Sequence, residues 1–347
     1  MTGVRASVII VNYNSGRMLA ACLRSLEAAL GDDDEVIVVD CASADGSADD
    51  LPPVARLRLW RSPLNLGFAS GSNLGAHLAR GRYLAFLNPD TTVEPGWLDT
   101  LIEALEADPS VGLVTPKILL LDDPQRINTF GNDSHYTGLT LCRGMGRPAG
   151  ELRGPDEVTA VSGAAFAIRS ELFARLGGFD ETFFLYMEDT DLSWRARLAG
   201  YRCVAVPGAT VRHAYALRFG PRKIFYQERN RYLMLLKSLD PRTLLALLPA
   251  LALAELLTWG FTLRYPRQLV NKLDAYVWVA VHWPTVLRRR RETQRLRRIP
   301  DRALIAACLS RIDYRQTGDT WAARAAAALA DPLFALWRRA ALAVIRW

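Results

Sequence analysis

The sequence has few residues suited to redox chemistry or to a dedicated metal cage. Its 347 residues include five cysteines and four histidines, and the cysteines form no C-x-x-C pair. This pattern predicts reduced thiols in a cytoplasmic protein. The first fifteen residues hold no uninterrupted apolar run, so we expect no secretory signal peptide. No G-x-G-x-x-G motif follows the first apolar run, which excludes a Rossmann dinucleotide site at that turn.

Lysine is absent from residues 286–347, although this segment carries the whole basic excess of the chain. It contains 14 arginines and 5 acidic residues, whereas residues 1–285 contain 29 basic and 31 acidic residues. The net charge of +7 therefore belongs to the C-terminal tail. The tail has no recognisable nucleic-acid-binding module and no aromatic residues within its basic run, so we expect no nucleic-acid partner.

Short apolar runs alternate with helical patterns in the first part of the chain. The predicted strands and helices are, in order, 6–14, 18–30, 35–40, 56–62, 67–81, 83–87 and 95–109. This alternation predicts an α/β fold with a parallel, doubly wound sheet. Further strands are expected around a long loop at 122–157, and the last of them form a strand pair at 202–213. After about residue 220 the pattern becomes helical and apolar.

Polar residues recur where predicted strands or loops end. A carboxylate is costly to bury without a partner, and open α/β sheets bind their ligands at the carboxyl ends of their strands. Each residue taken alone also has an ordinary structural interpretation, such as a turn cap, an acid in the first turn of a helix or a buried structural histidine. The residues in question are Asp40, Asn88, Asp90, Glu188, Asp189, Asp191 and His213.

The order of these motifs resembles that of the inverting, nucleotide-sugar-dependent glycosyltransferases of family 2. The resemblance spans roughly residues 6–240 and depends on an ordered set, since any one segment alone is a weak signal. The matching segments are "SVIIVNYN", "VVDCASADGS", "NLGFASGSNLG", "LNPDT", "GGFDETFFLYMEDTDLSWRARLAGY" and "VRH". The third segment is similar to an element of the family's rhamnosyltransferase-like branch.

The resemblance implies a fold and a reaction. Residues 1–220 are expected to form a GT-A type, doubly wound mixed sheet that binds the nucleotide sugar and catalyses transfer. Independently of the resemblance, the composition of residues 221–347 predicts a helical C-terminal extension that associates peripherally with a membrane. The expected reaction is an inverting displacement in which a sugar leaves a nucleoside diphosphate, with charge development similar to that in glycoside hydrolysis.

The family's motifs also imply a role for each polar residue. Asp189 is the expected catalytic base, with Glu188 as the second choice. Asp90 and His213 are the expected ligands of a divalent cation, Mg²⁺ or Mn²⁺. Asn88 replaces the first acid of the DxD motif and offers the donor a neutral amide. The expected donor-binding residues are Asn12, Tyr13, Asp40, Asn65, Gly67, Asn88 and Asp90.

Three further expectations concern the surroundings of these residues. Asp40 resembles the family's acid that accepts the N3–H of a pyrimidine, which selects uracil or thymine over cytosine. Asp191 and Arg195 are four residues apart, a spacing that favours an ordinary helical ion pair. Trp97 and Trp194 are expected to be packing residues and not sugar platforms.

The branch resemblance favours L-rhamnose from dTDP-rhamnose as the transferred sugar, with a lipid-linked or polysaccharide acceptor of cell-envelope glycan synthesis. Two alternatives stay open. The same scaffold could use another donor, such as UDP-galactofuranose or a UDP-N-acetylhexosamine. The chain could also be an inactive family member that acts as a scaffold, for which Asn88 is the sequence hint.

The tail has a composition that is typical of attachment to a membrane surface. Residues 243–263 are long enough to span a membrane, but Pro249, Glu255 and Gly260 count against a span. Residues 274–287 are too short to cross, and the arginine run follows them directly. We therefore expect in-plane attachment to anionic lipid at the cytoplasmic face of the cell membrane. A soluble helical subdomain with a solvated basic face is the alternative.

Overall fold

The computed structural model describes residues 3–215, 220, 222–263, 265, 268–317 and 321–347. The chain divides into two compact units. The first comprises 1–132, 142–196 and 201–216, and the second comprises 133–141, 197–200 and 217–347. The predicted boundary at 220/221 therefore falls in a stretch where 216–219 and 221 lie outside the described residues.

The first unit is built on a ten-stranded sheet. Its strands are β1 (Ala6–Asn12), β2 (Asp34–Cys41), β3 (Leu57–Ser62), β4 (Tyr83–Leu87), β5 (Thr91–Val93), β6 (Val111–Leu120), β7 (Ile127–Thr129), β10 (Asp156–Val158), β11 (Ala165–Arg169) and β12 (Arg202–His213). Two short strands between them, β8 (Asn132–Ser134) and β9 (Thr140–Cys142), form a separate pair.

The sheet is mixed, which confirms the expected fold class. Its order is β10-β12-β6-β11-β4-β1-β2-β3, with β5 beside β12 and β7 beside β6. Strands β4, β1, β2 and β3 are parallel neighbours. Strand β11 runs antiparallel between β4 and β6, so the purely parallel sheet that alternation alone predicts is wrong. The parallel strands bring their carboxyl ends to one edge of the sheet.

Helices cover both faces of this sheet. They are α1 (Met18–Glu27), α2 (Gly67–Leu78), α3 (Trp97–Ala107), α4 (Ser170–Arg175) and α5 (Glu188–Leu198), with a short 3₁₀ helix at Glu181–Phe183. Side chains alternate between the two faces of a strand. On β1, Val8 and Ile10 belong to the core that includes Leu23 of α1, whereas Val11 belongs to the cluster that packs against Leu74 of α2.

Two expectations about packing are confirmed and one about strands is wrong. Trp97 and Trp194 are fully buried, as packing residues should be. The segment 202–213 is a single strand and not a strand pair, with a register shift against β6 between Val206 and Thr210. Pro207 lies within this irregular stretch, which explains the local loss of regular pairing.

The second unit is helical in its described residues. Its helices are α6 (Lys223–Ser238), α7 (Pro241–Ala246), α8 (Leu248–Leu263), α9 (Leu269–Val281), α10 (Trp283–Arg295), α11 (Asp301–Ala307) and α12 (Trp321–Val344), with a 3₁₀ helix at Tyr314–Thr317. The apolar segment 243–263 is divided between α7 and α8, with Pro249 in the first turn of α8. Among the described helices, none combines the length and the apolar character needed to cross a membrane.

Glu255, the acid within this apolar segment, belongs to a buried charge network of the second unit. Its carboxylate lies 2.8 Å from Lys272 Nζ and 2.7 Å from Arg231 Nη2. Burial opposes ionisation, but hydrogen bonds from Lys272 and two tyrosines lower the pKa of Glu255 to about 2. The network joins α8 to α6 and α9, so the acid that disfavours a membrane span has charged partners within the helical unit.

Candidate active site

Asn12 and Asp40 lie side by side where β1 and β2 end. Asn12 Nδ2 donates to Asp40 Oδ1 at 2.8 Å and to Ser47 Oγ at 2.9 Å. Asn12 is fully buried, and its amide is occupied by these contacts. It therefore orients Asp40 and is not itself exposed to a ligand. Asp40 Oδ2 has one long contact, 3.4 Å from the backbone nitrogen of Ser43, and keeps hydrogen-bonding capacity.

Residues around this pair form a hydrogen-bonded turn cluster that the sequence analysis did not single out. Ser43 Oγ accepts from Asn12 Nδ2 at 3.1 Å and from the Asn14 backbone N–H at 2.9 Å. Ser15 donates to the side-chain oxygen of Asn12. The serines of "CASADGS" are the sequence signal that could have identified this cluster. Tyr13, by contrast, is 51% exposed beside it, where a ligand ring could stack.

Asn65 and Gly67 shape the start of α2. Asn65 Oδ1 accepts the backbone N–H of Gly67 at 2.9 Å, and Gly67 has a φ of +72°. A Cβ at Gly67 would lie 2.6 Å from the carbonyl oxygen of Phe184. The same oxygen accepts the backbone N–H of Ala69 at 3.2 Å. Gly67 thus allows α2 to approach the segment that leads into α5.

Asn73 of α2 reinforces this approach, and the sequence analysis missed it. Its side chain accepts from the Phe179 backbone N–H at 2.8 Å and donates to the Phe179 carbonyl at 2.9 Å. The downstream segment has positive φ at Phe184, Tyr186 and Met187. Non-glycine residues rarely adopt this conformation and do so mainly at functional sites. The start of α5, which carries Glu188 and Asp189, is therefore held in a strained and tightly fixed backbone.

Asp90 and His213 meet at the carboxyl end of β4. The pairing of β12 with β5 places His213 opposite Thr91, and the two side chains approach to 3.3 Å between Asp90 Oδ1 and His213 Nε2. The backbone of Asn88 accepts from Thr91 Oγ1 at 2.7 Å, which closes the turn between β4 and β5. Among the described residues, Asp90 Oδ1 has no hydrogen-bond partner of normal geometry.

Asp189 is held by donors on several sides. Its Oδ2 accepts the Gly163 backbone N–H at 2.6 Å and lies 3.4 Å from Asn132 Nδ2. Its Oδ1 accepts the Thr190 backbone N–H at 2.6 Å. The pKa of Asp189 is raised, because burial outweighs the hydrogen bonds from Gly163 and Thr190, which act to lower it. Because donors stabilise a carboxylate, the negative charge of this region is best placed on Asp189.

Glu188 has the opposite environment. It is buried, and its Oε2 has no hydrogen-bond partner within the described chain. Burial, together with the neighbouring Asp189 carboxylate, raises the pKa of Glu188 to about 8. This raised pKa favours the protonated form of Glu188, whereas Asp189 has the donors that stabilise a carboxylate. Asp191 pairs with Arg195 at 2.9 Å, as the spacing predicts, but the pair is buried and not on the surface.

The structure brings these residues to one edge of the sheet. The backbone N–H of Asn88 donates to Ala164, and the preceding residue, Gly163, contacts Asp189. The Asp189 and Asp90 regions are thus joined through the 162–165 turn. Asp40 makes no direct contact with them that the structure records. It lies two strands from β4, roughly 10 Å away at the usual strand spacing.

The side chains of Asp90 and His213 fit a divalent cation. The Nδ1 of His213 lies 2.9 Å from Asn128 Oδ1, so Nδ1 has a hydrogen-bond partner and Nε2 is the nitrogen that could bind a cation. A separation of 3.3 Å between Nε2 and the orphaned Asp90 oxygen is close to the roughly 3 Å between adjacent ligands of Mg²⁺. In the described part of the chain, no group of three or more acidic, histidine or cysteine side chains forms a metal cage. Other ligands would have to come from substrate and water.

Comparison with known proteins identifies the family of this chain. Residues 7–177 match the model of glycosyl transferase family 2. The chain is 30% identical over 227 residues to the pre-mycofactocin glycosyltransferase of Mycobacterium tuberculosis, covering 64% of this chain and 46% of that protein. It thus spans less than half the length of this relative.

A second relative is covered more completely. The N-acetylglucosaminyl-diphospho-decaprenol L-rhamnosyltransferase of M. tuberculosis is 30% identical over 241 residues, covering 59% of this chain and 75% of that protein. The crystal structure of GalNAc-T7 with UDP, GalNAc and Mn²⁺ has a similar fold, with a TM-score of 0.55 at 19% identity. That match covers 67% of this chain and 47% of the other. The chain belongs to glycosyl transferase family 2.

Proposed function

We propose that this protein is an inverting glycosyltransferase that moves a sugar from a nucleotide donor to an acceptor hydroxyl. The observation that carries the proposal is the position of Asp189. Its carboxylate is held by backbone and side-chain donors through the same turn that contacts the Asn88–Asp90 segment. A base fixed beside a donor site is the arrangement that direct displacement requires.

The residues of the chain have separate tasks in this reaction. Asp189 accepts the proton of the acceptor hydroxyl while the hydroxyl oxygen forms a bond to the anomeric carbon. The bond from that carbon to the diphosphate oxygen breaks, and the nucleoside diphosphate leaves with the bonding electron pair. Attack from the face opposite the leaving group inverts the anomeric centre. Asp40, oriented by Asn12, accepts the N3–H of a uracil or thymine base.

Asp90 and His213 would hold the divalent cation, and Asn88 would donate a hydrogen bond to the donor without adding charge. A cation bound there would neutralise the negative charge that develops on the departing diphosphate. The presence of Mn²⁺ in the GalNAc-T7 structure, which has a similar fold, supports the proposal of a divalent cation. A single imidazole ligand is more usual for Mn²⁺ than for Mg²⁺.

The donor is proposed to be dTDP-L-rhamnose and the acceptor a lipid-linked glycan. The support is the relative that is named as a rhamnosyltransferase acting on a diphospho-decaprenol acceptor. UDP-galactofuranose and UDP-N-acetylhexosamine remain the alternative donors, because no residue described above distinguishes a 6-deoxy sugar. The inactive-scaffold alternative has no support beyond Asn88.

The second unit is proposed to attach the enzyme to the cytoplasmic face of an anionic membrane. It exposes large apolar side chains on α8 and α9, among them Leu256, Val277 and Val281. A cavity of about 860 Å³ in this unit is lined mainly by aliphatic residues of α7, α8 and α9. Exposed apolar surface in a unit that also carries many arginines is the composition that favours binding in the plane of a lipid interface.

A donor panel tests the proposed reaction. The purified full chain is incubated with Mn²⁺ and dTDP-rhamnose, UDP-galactofuranose, UDP-N-acetylglucosamine or GDP-mannose, and released nucleotide is measured by mass spectrometry. We expect release of dTDP from dTDP-rhamnose above that from the other donors. Release of GDP alone would remove the role of Asp40, and no release from any donor would support the scaffold alternative.

A further inference from the structure

Three side chains meet at the end of β12, and the proposed reaction explains two of them. Asp90 and His213 have expected roles, whereas Asn128 has none in the sequence analysis. Asn128 is 2% exposed, and its Oδ1 lies 2.9 Å from Nδ1 of His213. A polar side chain buried against a candidate metal ligand requires a physical explanation.

Asn128 owes its position to an irregularity of β7. In the pairing of β7 with β6, Thr129 lies opposite Ile118 and Ile127 lies opposite Leu119. Asn128 is therefore the extra residue of a β-bulge and has no partner in β6. Bulges redirect a side chain and are common beside active sites. Here the bulge directs Asn128 toward His213, which is paired with β6 from the other side of that strand.

The contact fixes the side of the imidazole ring that carries the proton. An amide oxygen only accepts hydrogen bonds, so a neutral His213 must carry its proton on Nδ1 to bond with Asn128 Oδ1. The lone pair of Nε2 then faces Asp90 Oδ1 across 3.3 Å. Two acceptor atoms at this distance repel each other unless a cation lies close to both. A divalent cation bound between the two atoms would remove this repulsion.

We propose that Asn128 is a positioning residue that fixes the Nδ1–H tautomer of His213 and so presents Nε2 to a divalent cation shared with Asp90. This inference deepens the proposed function, since it assigns a task within the cation site. Histidine ligands usually donate their other ring N–H to an oxygen acceptor, and loss of that acceptor weakens metal affinity 10- to 100-fold. Asn128 supplies that acceptor from an element distant in sequence.

The tautomer is tested without metal by NMR of the full chain labelled with ¹⁵N-histidine. The sequence contains four histidines, so the spectrum is simple, and a His213→Gln variant identifies the His213 signals. At pH 8 we expect His213 to have a protonated Nδ1 and an unprotonated Nε2. Asn128→Leu keeps the volume but removes the acceptor, so the proton is expected to move to Nε2, where Asp90 accepts it. Asn128→Asp restores an acceptor and should retain the wild-type tautomer.

Binding of Mn²⁺ is then measured by electron paramagnetic resonance in the presence of UDP or dTDP. We expect Asn128→Leu to weaken Mn²⁺ binding 10- to 100-fold and Asn128→Asp to stay within about threefold of wild type. Circular dichroism of each variant checks that the fold is retained. Wild-type ¹⁵N shifts or wild-type Mn²⁺ affinity in a folded Asn128→Leu variant would overturn the inference.

The two measurements separate this inference from the proposed function. Suppose that Asn128→Leu changes the tautomer as expected but the wild-type protein binds no Mn²⁺. That result would refute the cation site and leave Asn128 as a residue that positions His213. Normal Mn²⁺ binding that depends on Asp90 but not on Asn128 would support the cation site and overturn the role of Asn128.

Discussion

At the scale of single residues, Glu188 and Asp189 show how neighbours in sequence acquire different chemistry. Both are buried in the first turn of α5. Asp189 accepts hydrogen bonds from the backbone N–H groups of Gly163 and Thr190, whereas Oε2 of Glu188 has no hydrogen-bond partner in the described structure. Two adjacent buried carboxyl groups rarely ionise together, so the difference in donors decides which one carries the charge.

This difference predicts how stability depends on pH. The folded-state pKa of Glu188 is about 8, above the ordinary 4.5, because of burial and the neighbouring Asp189. Between these values the folded state binds one more proton than the unfolded state, so stability falls as pH rises, by up to about 1.4 kcal/mol per unit. Urea unfolding at pH 5.5 and 7.5 should show a smaller fall for Glu188→Gln than for wild type. The exposed Glu103→Gln is the control, and an equal fall in all three proteins would contradict the assignment.

The sequence predicted the charged members of the candidate site but not the residues that contact them. Asp40, Asp90, Asp189 and His213 were found because each ends an element or belongs to a recognisable motif. Their partners include Asn128 on β7, Asn132 on β8 and Gly163 in the turn before β11. Their relevance depends on contacts across tens of residues, and no local pattern encodes those contacts.

At the scale of elements, the start of α2 and the segment before α5 form one rigid connection. Gly67 brings α2 against Phe184, and Asn73 binds the backbone of Phe179. Local signals placed the helices and strands well, since α1, α2 and β1–β4 all lie within the predicted ranges or extend one residue beyond them. The same signals predicted a strand pair where β12 is a single strand. They also did not predict the antiparallel direction of β11, because the neighbours of β11 are set by topology and not by its own composition.

Gly67→Ala tests this connection, with Gly96→Ala as a matched control. The two glycines have φ of +72° and +77°, but only Gly67 has atoms within 4 Å of the added Cβ. We expect Gly96→Ala to cost about 1–2 kcal/mol from backbone strain alone. Gly67→Ala should cost about 1–3 kcal/mol more because of the clash with Phe184, and should also lower transfer activity. Equal losses in chemical denaturation would show that the contact with Phe184 does not hold the two elements together.

At the scale of the whole molecule, the charge is distributed unevenly between the parts of the chain. Residues 1–285 are nearly neutral overall, and the 14 arginines of residues 286–347 lie in the second unit. On α10, Arg288, Arg291 and Arg295 are exposed at helical spacing, with no ion pair recorded for them in the described structure. Such a stripe supports attraction to anionic lipid, which adds up to roughly 1 kcal/mol for each arginine.

Charge reversal tests the proposed membrane attachment. The full chain is used, because the second unit includes 133–141 and truncation after residue 240 would divide it. Arg288→Glu with Arg291→Glu should weaken sedimentation with anionic liposomes at least tenfold and have little effect with zwitterionic ones. Arg17→Glu with Arg24→Glu, on exposed positions of the first unit, is the control of equal charge change. Equal weakening by both pairs would point to net charge and not to an attachment surface.

The central claim is that Asp189 is the base at a donor site built from the strand ends of the first unit. Asp189→Asn keeps the shape of the side chain but cannot accept the acceptor's proton. We predict that this variant retains wild-type affinity for the donor nucleotide while kcat for sugar transfer falls 10²- to 10⁴-fold. Transfer at the wild-type rate by a folded Asp189→Asn variant would contradict the account.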